Sequence, residues 1–163
     1  MPKLTVLVHT KNNAKSLGQL LDALKFCNDL LVIDDDSEDR TVRIACKHHA
    51  RVKKAIPGVT AGAYAMDSFH PWVLVVRPDE MPNEELIRAL KQWKAEKKQD
   101  EISGYAIAVR EQRDGNWNNC GAQMRLVNRL KINWTGELPP DSSVAGRMPG
   151  ELLRTIEEEG KAE

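Results

Sequence analysis

The chain has 163 residues, 41% hydrophobic and 29% charged, a balance that suits one compact folded domain with a sizeable core. Lysine plus arginine equals aspartate plus glutamate at 24 each, so no overall field draws the chain to nucleic acid or to an acidic membrane, and recognition must be local. Cys27, Cys46 and Cys120 are odd in number and far apart, giving neither a disulfide framework nor a zinc pattern and pointing to a reducing cytosol. The apolar stretch within the first ten residues is too short for a signal-peptide core, and no later run is long enough to cross a bilayer.

Leu4, Thr5, Val6, Leu7 and Val8 form a β-branched-rich run that ends in Thr10, Lys11, Asn12 and Asn13, the pattern of a strand entering a helix-capping loop. Leu17, Leu20, Leu21 and Leu24 recur at helical spacing and predict a helix with one leucine stripe against a sheet. The next strand, Leu30 to Ile33, stops at Asp34, Asp35, Asp36, Ser37, Glu38 and Asp39. Carboxylates there face the sheet edge where α/β proteins bind ligands, and several together suit a ligand rich in donors or carrying a metal. The same segment also suits a cap for the following helix, a role that one such residue fills. From Asp39 a second helix is expected to carry Val42, Ala45 and Cys46 inward, which completes a strand, helix, strand, helix order.

Arg51 to Ala55 predicts a short strand, and Pro57 and Gly58 break it before a short helix in Thr60 to Phe69. Trp72 to Val76 is the strongest buried-strand signal in the chain, and it too ends in charge, at Arg77, Pro78, Asp79 and Glu80. Asn83 caps the next helix, with Glu84 and Glu85 at its positive end, Lys94, Lys97 and Lys98 at its negative end, and Leu86, Ile87, Leu90 and Trp93 facing inward. Beyond Asp100 the period changes to two, with Tyr105, Ile107 and Val109 on one face, a turn at Asp114 and Gly115, and a further strand through Met124 and Leu126. Lys131 to Trp134 reads as a last strand, Asp141 to Gly150 as a loop and Leu152 to Glu158 as a terminal helix.

The segments LTVLVHTKNNAKSLGQLLDAL, LLVIDDDSEDRTVRIA and WVLVVRPDEMPNEEL, in that order and context, resemble the family 2 glycosyltransferases with their GT-A fold. The segment QMRLVNRLKINWTG is similar to the arginine-leucine stretch and tryptophan-glycine turn of the branch that works in lipopolysaccharide core biosynthesis. The likeness covers roughly Leu4 to Leu138. It implies an α/β fold of GT-A type, a mostly parallel central sheet flanked by helices with a mixed second half. It also implies one domain over 1–163: a nucleotide-binding half (1–100), an acceptor-side half (101–138), and a loop with terminal helix (139–163).

By the same resemblance the partners are a nucleotide-diphosphate sugar and a saccharide or lipid-linked acceptor. Thr10, Asn12, Asp34 and Asp35 surround the nucleotide, and Asp79 holds a divalent cation, Mn or Mg, against the diphosphate. A carboxylate that accepts from a base N–H or a ribose hydroxyl discriminates, because an unmatched buried acceptor costs about 1–3 kcal/mol. Arg77 stands where the family writes the first acidic residue of its metal motif, which reverses a charge beside the expected cation. A guanidinium can grip a phosphate in its place, so Arg77 is also a nucleotide-site residue. Gly62 and Ala63 fall where the family offers an arginine and an asparagine to the donor, Glu137 and Leu138 follow the Trp134 to Gly136 turn in place of a histidine, and Asp36 replaces a usual glycine.

An inverting transferase needs a base, and Glu111, Asp114 and Glu137 lie in the acceptor half without spacing that selects one. His48 and His49 are adjacent in a predicted helix, point apart and make poor partners for one metal. Trp117 and Trp134 have faces that suit a sugar ring, with core packing as the alternative, and Lys91, Lys94, Lys97 and Lys98 suit either lipid phosphate or a solvated helix face. No glycine-rich phosphate loop follows any strand. Two functions are therefore expected: a cytoplasmic glycosyltransferase, with any membrane contact peripheral on the inner face, or a catalytically degenerate binding or assembly module, which Arg77, the missing arginine and histidine and the short length favour.

Overall fold

The computed structural model describes residues 2–96, 101–142 and 145–156. In chain order the elements are β1 (Leu4–Thr10), α1 (Ala14–Ala23), β2 (Asp29–Asp34), α2 (Thr41–Lys47), β3 (Arg51–Lys54), α3 (Ala61–Tyr64), a 3-10 turn (Ala65–Asp67), β4 (Trp72–Val76), β5 (Glu80–Pro82), α4 (Glu84–Ala95), β6 (Gly104–Arg113), β7 (Asn116–Asn128) and β8 (Gly146–Thr155). They build one eight-stranded sheet in the order β3-β2-β1-β4-β7-β6-β8-β5. The β3, β2, β1 and β4 strands run parallel, whereas β7 is antiparallel to β4 and to β6, so the second half is mixed as its change of period predicts.

The apolar runs of β1, β2 and β4 are continuous because both of their faces are covered. Alternate residues Leu4, Val6, Val8, Leu30, Val32, Leu74 and Val76 pack on one face against the α1 stripe of Leu17, Leu20, Leu21 and Leu24 and against Leu86, Leu90 and Trp93 of α4. Leu7, Leu31, Ile33, Val73 and Val75 pack on the other face against Ala61, Tyr64 and Trp134. Buried Cys27 joins the first core, and desolvation pushes its thiol up to about 12. Asn83 caps α4 as expected, its Oδ1 accepting from Leu86 N at 2.9 Å, and the same oxygen accepts from Glu151 N at 3.0 Å.

That second bond belongs to an element the sequence reading misassigns. Gly146–Thr155 is not a loop leading to a helix but strand β8, parallel to β6 and antiparallel to β5; the rest of the predicted helix, 157–158, lies outside the described residues, as do Lys97 and Lys98. Gly150 lets β8 approach α4 so closely that an added Cβ would lie 2.2 Å from Leu86 N, and its φ of +97° admits glycine alone without strain. Lys131 to Trp134 forms no strand; Trp134 instead folds back so that its Nε1 donates to Gly136 O at 2.8 Å. In α2 only Ala45 turns inward as expected, Val42 and Cys46 being exposed, and the helix ends before His48 and His49.

The strand order forces the sheet to curl. Laid flat, β4 and β5 would sit four strand spacings apart, about 19 Å. Yet only Arg77, Pro78 and Asp79 separate them, closed into a turn in which Glu80 N donates to Arg77 O at 3.1 Å, and the ends of such a turn lie within about 7 Å. The far edge, β8 with β5, therefore bends back over the carboxyl end of β4.

A buried ion pair holds the curl. Arg125 of β7 and Glu80 have fully buried side chains and join through two bonds, Nη1 to Oε1 at 2.7 Å and Nη2 to Oε2 at 2.8 Å, while Nη1 also donates to Val75 O at 3.1 Å. Removing one partner of such a pair strands a charge in the core. Arg125→Met is expected to lower unfolding free energy in urea by about 3–5 kcal/mol, and the same change at exposed Arg113 by no more than about 0.5 kcal/mol. Equal small losses at both positions would contradict this assignment.

At the opposite end of β2, buried Asp29 accepts from Arg51 at 2.9 and 2.6 Å and from Thr5 Oγ1 at 3.0 Å. Burial alone raises its carboxyl pKa, but these bonds, with one from Phe69 N, outweigh burial and hold it below the usual carboxylate range. A depressed folded pKa contributes stability above the unfolded value of about 4 that disappears as pH falls through the folded value. Stability measured between pH 7 and pH 2 should therefore drop below about pH 4, and Asp29→Asn should flatten that part of the curve.

Candidate functional site

The chain steps from β1 to β2 to β3 in one direction and then places β4 on the other side of β1, so the order reverses between β1 and β4. Neighbouring loops part at such a reversal and leave a crevice at the strands' carboxyl ends. A cleft of about 310 Å³ lies there, walled by His9, Asn13, Arg77, Asp79, Glu137 and Arg154 among others. A second cleft of about 720 Å³, with Asn12, Lys15 and Trp117 in its wall, shares Asn13, Asp79 and Arg154 with the first.

The two loops expected at the nucleotide are knitted together. Asn12, at φ +54°, donates from its N to Ser37 Oγ at 2.9 Å, and its Oδ1 accepts from Glu38 N at 2.8 Å. Asn13 N donates to Thr41 Oγ1 at 2.9 Å, and buried Thr10 donates from its hydroxyl to Asn13 Oδ1 at 2.7 Å. Asp34 turns into its own loop, accepting Ser37 Oγ at 2.5 Å and Ser37 N at 3.1 Å. Asp39 accepts from the Thr41 hydroxyl, from Thr41 N at 2.9 Å and from Ala14 N at 3.2 Å, and these bonds, the hydroxyl foremost, hold its carboxyl below the usual range. Asp36 pairs with Lys54 at 3.3 Å, and Asp35 is exposed. Much of the acidic cluster thus builds loops, and α2 itself starts after Arg40 with no side-chain cap bond. Of the expected nucleotide residues Arg77 lines the first cleft and Asn12 the second; Thr10, Asp34 and Asp35 line neither.

Both carboxylates of the turn after β4 face arginines. Glu80 is held by Arg125, and Arg77 N also donates to its Oε1 at 2.7 Å. Asp79 Oδ2 accepts Arg154 Nε at 2.6 Å, and Arg154 Nη1 stands 3.4 Å from Glu111 Oε1. Partial burial pulls the Arg154 pKa down, but the Asp79 hydrogen bond and charge push it up further, so it stays protonated. Asp79 Oδ1 is buried and accepts no hydrogen bond among the described residues. No three His, Cys, Asp or Glu side chains converge among those residues.

Arg154 and His9 escaped the sequence reading. The sequence pattern places Arg154 in a helix, and only the pairing of β8 with β6 and β5 brings it to this crevice. His9 sits in β1 with its ring edge-on to Tyr64 at 6.1 Å, and alternation along the strand puts it on the same face as Leu7, which also lines the cleft. Of the three acids weighed as a base, Glu137 lines the cleft, Glu111 leans on Arg154, and Asp114 sits in the β6–β7 turn at φ +50°. Trp134 packs in the core, while Trp117 is 41% exposed with the Arg110 guanidinium 5.3 Å from its ring centre. Gly62 lies under Trp134, where an added Cβ would stand 2.4 Å from Trp134 O.

No family model and no curated protein sequence matches the chain. Solved structures share its architecture. A crystal structure of a mycobacterial protein superposes at TM-score 0.66 and 15% identity, covering 96% of this chain and 68% of that one. Glucosyl-3-phosphoglycerate synthase from Mycobacterium tuberculosis, in complex with Mn2+, uridine diphosphate and glucosyl-3-phosphoglycerate, matches at 0.50 and 17%, over 70% of this chain and 45% of that one. Mannosyl-3-phosphoglycerate synthase from Rubrobacter xylanophilus matches at 0.54 and 19%, over 71% and 42%. The chain spans less than half the length of either synthase. The fold is the GT-A α/β type, with a single mixed, curled sheet flanked by helices. No helix among the described residues is long and apolar enough to cross a membrane.

The loop bonds make Asp34 a stability residue with or without ligand. Asp34→Ala is expected to cost about 1–2 kcal/mol in urea titrations of the unliganded chain, and Asp35→Ala under about 0.5 kcal/mol. Equal effects would show that the bonds to Ser37 contribute nothing.

Proposed function

We propose that this chain is a cytoplasmic glycosyltransferase-like protein that binds a nucleotide-diphosphate sugar in the cleft between β1 and β4 and transfers the sugar to a saccharide or lipid-linked acceptor. The observation that carries this reading is the position of the cleft, at the strand-order reversal of a fold shared with two sugar-phosphoglycerate synthases. Asn12 and Arg77, on the cleft walls, face the nucleotide, Arg77 at the diphosphate, while Thr10 and Asp34 hold the loops behind them and exposed Asp35 stays off the wall. Residues 1–100 then serve as the nucleotide half and 101–138 as the acceptor half. An acceptor from lipopolysaccharide core assembly is supported by the likeness of the Gln123 to Gly136 segment.

The residues at the end of β4 do not fit a divalent cation. Magnesium and manganese sites of this kind need one or two carboxylates free to ligate beside the phosphates. Here Asp79 is the counter-ion of Arg154, Glu80 is enclosed by Arg125, and Arg77 adds a third positive charge. The residue expected to hold the metal is read instead as a positioning residue for Arg154.

In an inverting transfer the acceptor oxygen attacks the anomeric carbon, its proton passes to a base, and the carbon-oxygen bond to the diphosphate breaks as the diphosphate takes the electron pair. Glu137, exposed on the cleft wall, is the carboxylate placed to accept that proton. The second reading, a binding module without turnover, is favoured by Gly62, whose packing under Trp134 leaves no side chain where a polar donor contact is expected.

Incubation with uridine and guanosine diphosphate sugars, with and without manganese, separates the two readings. Release of nucleoside diphosphate, reduced about 100-fold or more by Glu137→Gln with nucleotide affinity unchanged, supports the transferase. Tight binding without release supports the module, and no binding to any sugar nucleotide overturns both.

A further inference from the structure

We infer that the cleft grips the diphosphate with the guanidinium groups of Arg77 and Arg154 and does so without a divalent cation. The inference rests on the proposed nucleotide-sugar ligand and adds how its charge is met.

Both arginines line the same cleft, and they reach it from strands far apart in sheet order. Arg77 extends β4, whereas Arg154 arrives on β8 because the sheet curls. Arg77 has surplus charge to offer. Its neighbour Glu80 is already bound twice by Arg125, and Arg77 Nη1 lies 3.9 Å from Glu80 Oε2, beyond hydrogen-bond distance. The Arg77 side chain is 38% exposed, so its donors are open to a ligand. Arg154 is aimed by its bond to Asp79 through Nε, and among the described residues its Nη2 makes no hydrogen bond.

A planar guanidinium presents paired donors at the spacing of two phosphate oxygens, and two of them across one cleft match a diphosphate. A cation brought to the same place would meet one carboxylate oxygen, Asp79 Oδ1, beside two fixed positive charges. It would also compete with Arg154 for Asp79. The arginine pair and the metal are therefore alternatives at this site, and the side chains present favour the arginines.

The test uses the full chain, Mn2+ alone, inorganic pyrophosphate and uridine diphosphate. Electron paramagnetic resonance should show Mn2+ remaining as the free aquo ion in the presence of protein, and calorimetry in EDTA should show both anions binding with no gain when manganese replaces EDTA. Arg77→Gln, at an open position that does not threaten folding, should weaken both anions about tenfold or more. Arg154→Gln should do the same, with a melting curve to confirm that it folds. Mn2+ binding to the unmodified chain, a tenfold gain with manganese, or affinities indifferent to Arg77→Gln would each overturn the inference. Arginine-dependent pyrophosphate binding with no tighter binding of uridine diphosphate, or of guanosine diphosphate added as a third anion, would leave the inference standing and sink the nucleotide reading. Failure of all three anions to bind would overturn both.

Discussion

The buried bond between Arg125 and Glu80 connects the two halves of the molecule. One partner sits on an antiparallel strand of the second half, the other just past the last parallel strand of the first, and neither side chain reaches water. Two charges removed from solvent are tolerated only when their hydrogen bonds are nearly complete. Here they are: Glu80 accepts from Arg125 at both oxygens and from Arg77 N, while Arg125 also serves Val75 O and Gln123 Oε1. The turn that begins the crevice is thereby pinned to the sheet and cannot drift with its loop.

The neighbouring carboxylate repeats the arrangement at the surface. Asp79 meets Arg154 at 2.6 Å, partly open to solvent, in a place where the resemblance implies a metal. Two adjacent acids matched by arginines from two different strands leave Arg77 as added positive charge at the cleft. One of the synthases whose fold it shares was crystallised with Mn2+ and uridine diphosphate.

Across the crevice the acidic loop after β2 has two occupations. Asp34 and Asp39 satisfy backbone amides that would otherwise lack partners, and Asn12 and Asp36 adopt positive φ to let the two loops interlock. A loop stiffened in this way is a preformed wall, so a ligand binding against it loses less ordering entropy.

The sequence by itself determined the β1 to β4 half. Continuous apolar runs ending in charge identify doubly covered parallel strands, the leucine stripe identifies α1, and Asn83 identifies the start of α4, because each of these signals is local. The β6–β7 turn at Asp114 and Gly115 is legible for the same reason. Only the tertiary structure decided the rest. Leu152, Leu153 and Arg154 carry no local mark of a strand, and their extended form follows from pairing with β6 and β5 and from the fit of Gly150 against α4. With β8 misread, the partner of Asp79 and half of the arginine pair were out of view. Which charges meet at the cleft depends on how a curled sheet brings distant strands together, and no local pattern encodes that.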